Sequence, residues 1–336
     1  MDPLATGVSR AAVWTGTGVE VRDVALPQEA DVTLVRVRLA TVCGSDLHTV
    51  AGRRGGPCPS VLGHEAVGEV VVAGAQRDIR VGDRVVWSVT STCGACARCR
   101  SGRTAKCHAV RKVGHEPFDG DWPLSGGYAE HIALPAGVAV QRIPDTLDDK
   151  VAAPAACATA TVMATLEAAG ALPGQRVLIV GAGMLGVTAA AACTESGAKV
   201  AITDIDRARV LLAERFGAVP DSGGPVDVAI DFSGSAPATA AALNRLEVGG
   251  ILVLAGAVLP GPPLSVDPEA VVRGWWTITG VHNYERHHLE LAVDFLQRTR
   301  DAYPWASLVS DPVGLDAADS ALTAAPLGAL RASIAP

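Results

Sequence analysis

Residues 177–186 read Val177-Leu178-Ile179-Val180-Gly181-Ala182-Gly183-Met184-Leu185-Gly186, and the chain continues as VTAAAACTES to Ser196. A short apolar run rich in β-branched residues predicts a buried strand, and the alanine-rich stretch after it predicts a helix. Between them stands Gly-x-Gly-x-x-Gly. The first glycine, Gly181, permits the tight turn, Gly183 lets backbone approach a pyrophosphate, and Gly186 lets the helix pack closely on the strand. The helix N-terminus adds unpaired N–H groups and positive potential. A second apolar strand, Val200 to Thr203, ends at Asp204, 23 residues after Gly181. A carboxylate there accepts from adenosine ribose hydroxyls and repels a 2′-phosphate, so NAD(H) is expected over NADP(H). A cap for a helix over Asp206 to Phe216 is the plainer reading of Asp204, and Arg207 or Arg209 turned toward a phosphate would admit NADP(H). Met184, Leu185, Arg209, Ser233 and Gly256 complete the expected cofactor-binding set.

Further strands are expected at Val226 to Asp231, Ile251 to Ala255 and Thr277 to Val281, with helical stretches between most of them. That alternation predicts an α/β domain with a doubly wound parallel sheet. Only eight residues, Ala218 to Pro225, separate Gly217 from Val226. That is too short for a full strand and crossover helix, so the third strand looks trimmed. In the order 3-2-1-4-5-6 it is an edge, and its loss spares the cofactor crevice. Upstream, short β-rich runs at Val32 to Leu39, Glu69 to Val72, Arg84 to Val89 and Tyr128 to Leu134 are punctuated by Gly and Pro, which predicts a mostly β domain. The expected divisions are residues 1–157, 158–281 and a segment 282–336 that returns to the first domain.

Cys93, Cys96, Cys99 and Cys107 form a C-x2-C-x2-C-x7-C cluster within fifteen residues. Four thiolates suit tetrahedral zinc and leave no open position, so such a site is structural. A disulfide pair fits a reducing compartment poorly, and a redox CxxC needs only two members. Arg98, Arg100, Arg103 and Lys106 lie in the same loop and offset the charge of the thiolates.

The chain has 336 residues and a net charge of −7, which favours a small-molecule partner over nucleic acid or an anionic membrane. Met1 to Val13 has no secretory pattern, and eight cysteines fit a cytoplasmic metalloprotein. Val151 to Leu172 is apolar but carries Pro154 and Glu167, and reads as a buried helix, not a membrane span.

Three potential ligands lie apart: Cys43 in Cys43-Gly-Ser45-Asp46-Leu-His48, His64 in Gly63-His64-Glu65, and Cys157 in Ala155-Ala-Cys157. Taken singly, each also reads as a buried core residue. With the cysteine loop and the glycine turn, their order resembles the zinc-dependent medium-chain alcohol dehydrogenases over essentially the full chain. The resemblance implies a GroES-like catalytic domain, a Rossmann domain and a homodimer or homotetramer. It also implies two Zn2+ per chain, with Cys43, His64 and Cys157 around a catalytic zinc and Cys93, Cys96, Cys99 and Cys107 around a structural one. Asp46 would orient His64, Glu65 would assist ligand exchange, and Ser45 would pass a proton through the cofactor ribose to His48.

The function so implied is hydride transfer between a primary or secondary alcohol, or its aldehyde or ketone, and NAD(H). Ser45 to Gly63, Ala155 to Ala164 and Ile278 to Tyr284 are similar to a branch associated with phosphonate metabolism. Arg53 and Arg54, with His115, are candidates for holding an anionic substrate group, and a solvated basic turn is the plainer reading. Trp87, Val89 and Trp122 are candidates for an apolar pocket. The alternatives are a biosynthetic NAD(P)H-dependent carbonyl or imine reductase, and a non-catalytic dinucleotide-binding protein.

Overall fold

A computed structural model describes residues 7–75, 78–323, 325–326 and 328–336. Residues 1–6, on which the absence of a secretory pattern partly rests, lie outside the described residues. The chain divides into two compact units, one of residues 1–157, 285–300 and 305–336, the other of residues 158–284 and 301–304.

The first unit is built on strands β1 (Val8–Trp14), β2 (Val19–Ala25), β3 (Thr33–Thr41), β4 (Ser60–Val61), β5 (Glu65–Val72), β6 (Arg84–Ser91), β7 (Arg111–Lys112), β8 (His131–Leu134) and β9 (Val138–Arg142). The chain returns to it as β16 (Val309–Val313) and β17 (Arg331–Ile334). The larger sheet runs β16-β17-β3-β5-β6-β7, with β8 on β3 and β9 on β6, and the smaller runs β2-β1-β4. Strand β3 buries both faces over much of its length, and its side chains join those of β1, β5 and β6 in one apolar core. Trp87 and Trp122 sit inside that core, and Val89 is buried. The indole N–H of Trp122 donates to the Ala133 carbonyl at 2.7 Å, as a buried Trp requires.

The second unit holds β10 (Arg176–Val180), β11 (Lys199–Thr203), β12 (Val219–Pro220), β13 (Val226–Asp231), β14 (Leu246–Leu254) and β15 (Thr277–Gly280). Their order is β12-β11-β10-β13-β14-β15, every pair parallel. This is the doubly wound order, and the trimmed third strand is a two-residue edge with no helix before β13. Arg245 clamps that short link, donating to both oxygens of Asp221 at 2.7 and 2.8 Å and to the Gly224 carbonyl at 2.7 Å.

The stretch Val151 to Leu172 is not one helix. It comprises a turn at Asp149–Ala152, a 3-10 turn at Ala153–Ala156 and a helix at Ala158–Ala169. Pro154 withholds a backbone N–H, and Cys157 leaves helical geometry at φ −133°, ψ −66°. Among the described residues no single helix is long and apolar enough to cross a membrane.

Candidate active site

Three strand ends bring one group of side chains together. Antiparallel pairing sets Thr41, the last residue of β3, opposite Glu65, the first of β5. Strand β17 pairs with β3 from its other side, so its first residue, Arg331, lies at the same end. Cys43 follows β3, His64 precedes β5, and Cys157 follows the 3-10 turn that packs on β3, β5 and β6. One ligand atom from each of Cys43, His64 and Cys157 lies within 4.8 Å of the others.

The surroundings decide how each group is presented. Asp46, wholly buried, accepts from the Cys43 N–H at 2.9 Å and from the Tyr128 hydroxyl at 3.1 Å through one oxygen. Its other oxygen stands 3.5 Å from His64 Nδ1. At that distance the carboxylate faces Nδ1 without a hydrogen bond, and its charge favours a proton on that nitrogen rather than on Nε2. Burial opposes a charge on His64, but Asp46 and Cys43 outweigh it and raise the imidazole well above its ordinary value. A hydrogen bond shared with Cys157 brings the Cys43 thiol well below its ordinary range, and the same bond raises Cys157. Two thiols sharing one proton beside an imidazole form a donor set that a divalent cation completes by displacing that proton.

Glu65 accepts from Thr41 Oγ1 at 2.9 Å and from Arg331 at 2.8 and 3.2 Å. Another Arg331 contact reaches Cys43 Sγ at 3.7 Å. Burial opposes its charge, yet Glu65 and Cys43 hold Arg331 above its ordinary value, so a fixed cation faces the thiolates.

Ser45 and His48 ride one turn apart on the helix Gly44–Val50. Ser45 Oγ lies 3.2 Å from His64 Nε2, the nitrogen left for an ion. No hydrogen bond joins Ser45 to His48, whose Nδ1 is buried without a partner. Burial and the charge of Arg53 hold His48 below its ordinary value, so it is neutral and able to accept a proton.

The second cluster, Cys93, Cys96, Cys99 and Cys107, also gathers within 4.8 Å. Its Sγ–Sγ separations of 3.4, 3.5 and 3.9 Å compare with about 3.8 Å, the edge of a tetrahedron with 2.3 Å metal–sulfur bonds. Backbone N–H groups of His108 and Cys99 bring Cys96 down to about 5, while burial lifts Cys99 to about 12. Arg98 and Arg100 donate to the carbonyls of Lys106 and Ala95, fastening the loop on itself. The Glu285 carboxylate accepts from the N–H groups of Thr104 and Ala105 at 2.9 and 3.0 Å and from the Thr104 hydroxyl. The four sulfurs fit zinc with no position left open.

In the other unit, β10 runs into Gly181 at φ 101°, and the helix Met184–Glu195 starts from Gly183. A Cβ on Gly186 would stand 1.8 Å from the Gly181 carbonyl oxygen, so the turn demands glycine there. Beside Gly183 there is open space for 4 Å, the room a pyrophosphate needs. Asp204 accepts from the Ala182 N–H at 2.6 Å and the Asp206 N–H at 2.8 Å. It is not the helix cap: Asp206 is, accepting from the Ala208 N–H, and the helix runs Arg207–Glu214. Arg209 is exposed and lies 3.5 Å from Asp206. Asp231 orders the loop after β13, accepting from Ser233 N–H and Oγ at 2.9 and 2.7 Å, and its carbonyl takes the Gly256 N–H at 2.8 Å.

Residues 29–145 match the alcohol dehydrogenase GroES-like domain. L-threonine 3-dehydrogenase of Edwardsiella ictaluri is 33% identical over 296 residues, 80% of this chain and 82% of that protein. The alcohol dehydrogenase of Thermotoga maritima superposes with a TM-score of 0.89 at 25% identity, covering 98% of this chain and 99% of the other. A zinc-binding dehydrogenase of Sinorhizobium meliloti, solved with NADP, reaches 0.86 at 27% identity over 98% and 99%. The chain belongs to the zinc-dependent medium-chain dehydrogenase superfamily.

Two residues of this dehydrogenase carry no mark in the sequence as site residues. Arg331 lies 266 positions from Glu65, and Tyr128 lies 82 from Asp46, so no local pattern announces either. His115, expected beside Arg53 and Arg54, also approaches His64. Its ring centroid stands 5.2 Å from that of His64. A nitrogen of His115 is near Asp46 and His64, as in a third ligand group. Both its nitrogens are engaged, however, Nδ1 with the Val113 carbonyl at 2.9 Å and Nε2 with Arg54 at 2.8 Å.

Proposed function

We propose that this dehydrogenase transfers hydride between an alcohol carbon and the nicotinamide of NAD(H), releasing or taking up one proton. The observation that carries the reading is the convergence of Cys43, His64 and Cys157, with the Asp46 carboxylate facing His64 Nδ1 at 3.5 Å. Bound by those three residues, zinc supplies Lewis acidity that favours ionisation of an alcohol or polarises a carbonyl. Ser45 Oγ, 3.2 Å from His64 Nε2, would take the proton of an alcohol bound beside that nitrogen. His48, held below its ordinary value, would accept a proton and release it to water. The N-terminus of Met184–Glu195 holds the pyrophosphate, with Gly181, Gly183, Met184, Leu185 and Gly186 forming the turn. Ser233 and Gly256 edge the same turn. Asp204 takes the ribose hydroxyls and disfavours a 2′-phosphate, while Arg209, drawn to Asp206, leaves that preference intact. Cys93, Cys96, Cys99 and Cys107 would hold a structural zinc.

Steady-state kinetics of the zinc-loaded protein tests the reading, with NAD+ and NADP+ against alcohols that include L-threonine, the substrate in its relatives' name, and hydroxyalkylphosphonates. NAD+ should be the more efficient cofactor, and Asp204→Ser should narrow its lead by about tenfold or more. An unmutated enzyme that uses NADP+ as well would remove the role given to Asp204. Turnover confined to carbonyl or imine reduction would mark a biosynthetic reductase. No turnover in either direction would leave a dinucleotide-binding protein.

A further inference from the structure

Beside the Cys43–His64–Cys157 group lie three cationic side chains, Arg53, Arg54 and Lys112, with no ion pair to a carboxylate among the described residues. The chain after the helix Gly44–Val50 folds back so that the N–H groups of Arg53 and Arg54 both donate to the His48 carbonyl, at 2.9 and 3.1 Å. This fixes the backbone from which the half-buried Arg54 side chain extends. Its Nη1 donates to His115 Nε2 at 2.8 Å. That direction follows from the other nitrogen: Nδ1 faces the Val113 carbonyl at 2.9 Å and must carry the proton. His115 in turn packs against His64.

The guanidinium is therefore held one imidazole ring away from a metal-ligand candidate, by a single hydrogen bond that leaves most of its donors free. Two acids are nearby, and both are engaged elsewhere: Asp46 takes the Cys43 N–H and the Tyr128 hydroxyl. Glu116 takes Arg111 Nε at 3.0 Å and the Lys112 N–H at 2.9 Å. Lys112 is a second cation of the set, lowered by burial and then by the charge of Arg54. Arg53 completes it, close enough to His48 to affect its proton. Among the described residues no carboxylate forms an ion pair with Arg53, Arg54 or Lys112. Clustered, partly buried like charges repel, and a planar guanidinium matches an oxyanion with two parallel N–H bonds.

We propose that Arg54, positioned by His115, selects substrates that carry an oxyanion, a carboxylate or a phosphonate, on the carbon skeleton bearing the reacting hydroxyl. The inference rests on the dehydrogenase reading and narrows its substrate class. Arg54 is the specificity residue, Lys112 and Arg53 supply long-range attraction, and His115 is a positioning residue.

The test measures kcat and KM of the zinc-loaded enzyme with NAD+ on 3-hydroxybutyrate, 2-hydroxypropylphosphonate and the uncharged 2-butanol. The unmutated enzyme should favour one or both anions. In Arg54→Met the ratio of kcat/KM, anion over 2-butanol, should fall by about 30- to 100-fold, mostly through KM, as for loss of a charge-assisted bidentate contact. Arg54→Lys should keep part of the preference, and His115→Ala should lose part of it with its zinc content intact. The two anions separate the carboxylate source from the phosphonate. A binding measurement stands apart from turnover: propylphosphonate and butyrate, which lack the hydroxyl, should bind the NADH complex of the parent and more weakly that of Arg54→Met by titration calorimetry. If binding follows this pattern while no alcohol is oxidised, the dehydrogenase reading fails and the anion site stands. An unchanged anion-to-neutral ratio, or equal binding by parent and Arg54→Met, overturns the proposal.

Discussion

Asp46 does more at the site than any other single side chain. One of its oxygens takes the Cys43 N–H and the Tyr128 hydroxyl, the other faces His64 Nδ1, and all four groups are buried. Its two hydrogen bonds, both to one oxygen, position a metal-ligand candidate and its support. The two cysteine groups differ in the same terms. Cys43 is a ligand candidate in an open set of three, whereas Cys99 belongs to a closed set of four that holds a loop. Cys43→Ser should therefore remove about one equivalent of zinc and abolish turnover, with the unfolding midpoint little changed. Cys99→Ser should remove about one equivalent and lower the midpoint by several degrees, because binding free energy at a closed site is folding free energy. Elemental analysis beside calorimetric melting checks both. Equal melting of the two variants would show that the loop does not depend on its metal.

Among the elements, the glycine turn was legible because backbone geometry dictates residue type. Only glycine fits where a Cβ would stand 1.8 Å from a carbonyl oxygen, so the chemistry of the turn is written in the residues. The shortened third strand was legible from length alone. Its fastening was not: Arg245 and Asp221 lie 24 positions apart, and nothing local pairs them. The hydrogen bond from Arg245 holds the Asp221 carboxyl below its ordinary value. A carboxylate depressed in the folded state stabilises fully above its unfolded value, about pH 4, and loses that contribution as pH falls through the folded value. Arg245→Met should cost about 1 kcal/mol, discounted for the part of the pair that meets solvent, or about 2–4 °C in the melting of the second unit. The gap between parent and variant should be constant from pH 8 to pH 5 and close below about pH 4. A gap that persists in acid would assign the effect to the Gly224 carbonyl contact, which does not titrate.

Across the whole molecule, the return of residues 305–336 to the first unit carries Arg331 to Glu65 and Cys43. This pair is buried on both sides, so removing one partner strands a charge. Arg331→Met should destabilise by about 3–5 kcal/mol, and adding Glu65→Gln to it should recover part of that loss, since the double variant leaves no uncompensated carboxylate. Urea unfolding of the four proteins closes the cycle, and simple additivity would show that the pair is not coupled. By itself the sequence determined the strand, glycine turn and helix of the second unit, the parallel order with its trimmed edge and the four-cysteine loop. In each of these the geometry is local, so residue type and spacing carry it. It also singled out Cys43, His64 and Cys157 without a spacing that joins them. Only the tertiary structure brought those three together, added Arg331 and Tyr128, set His115 against His64, and buried Trp87 and Trp122 in the core. Antiparallel strand pairing joins residues far apart in the chain, and the contacts that result leave no periodic trace in it.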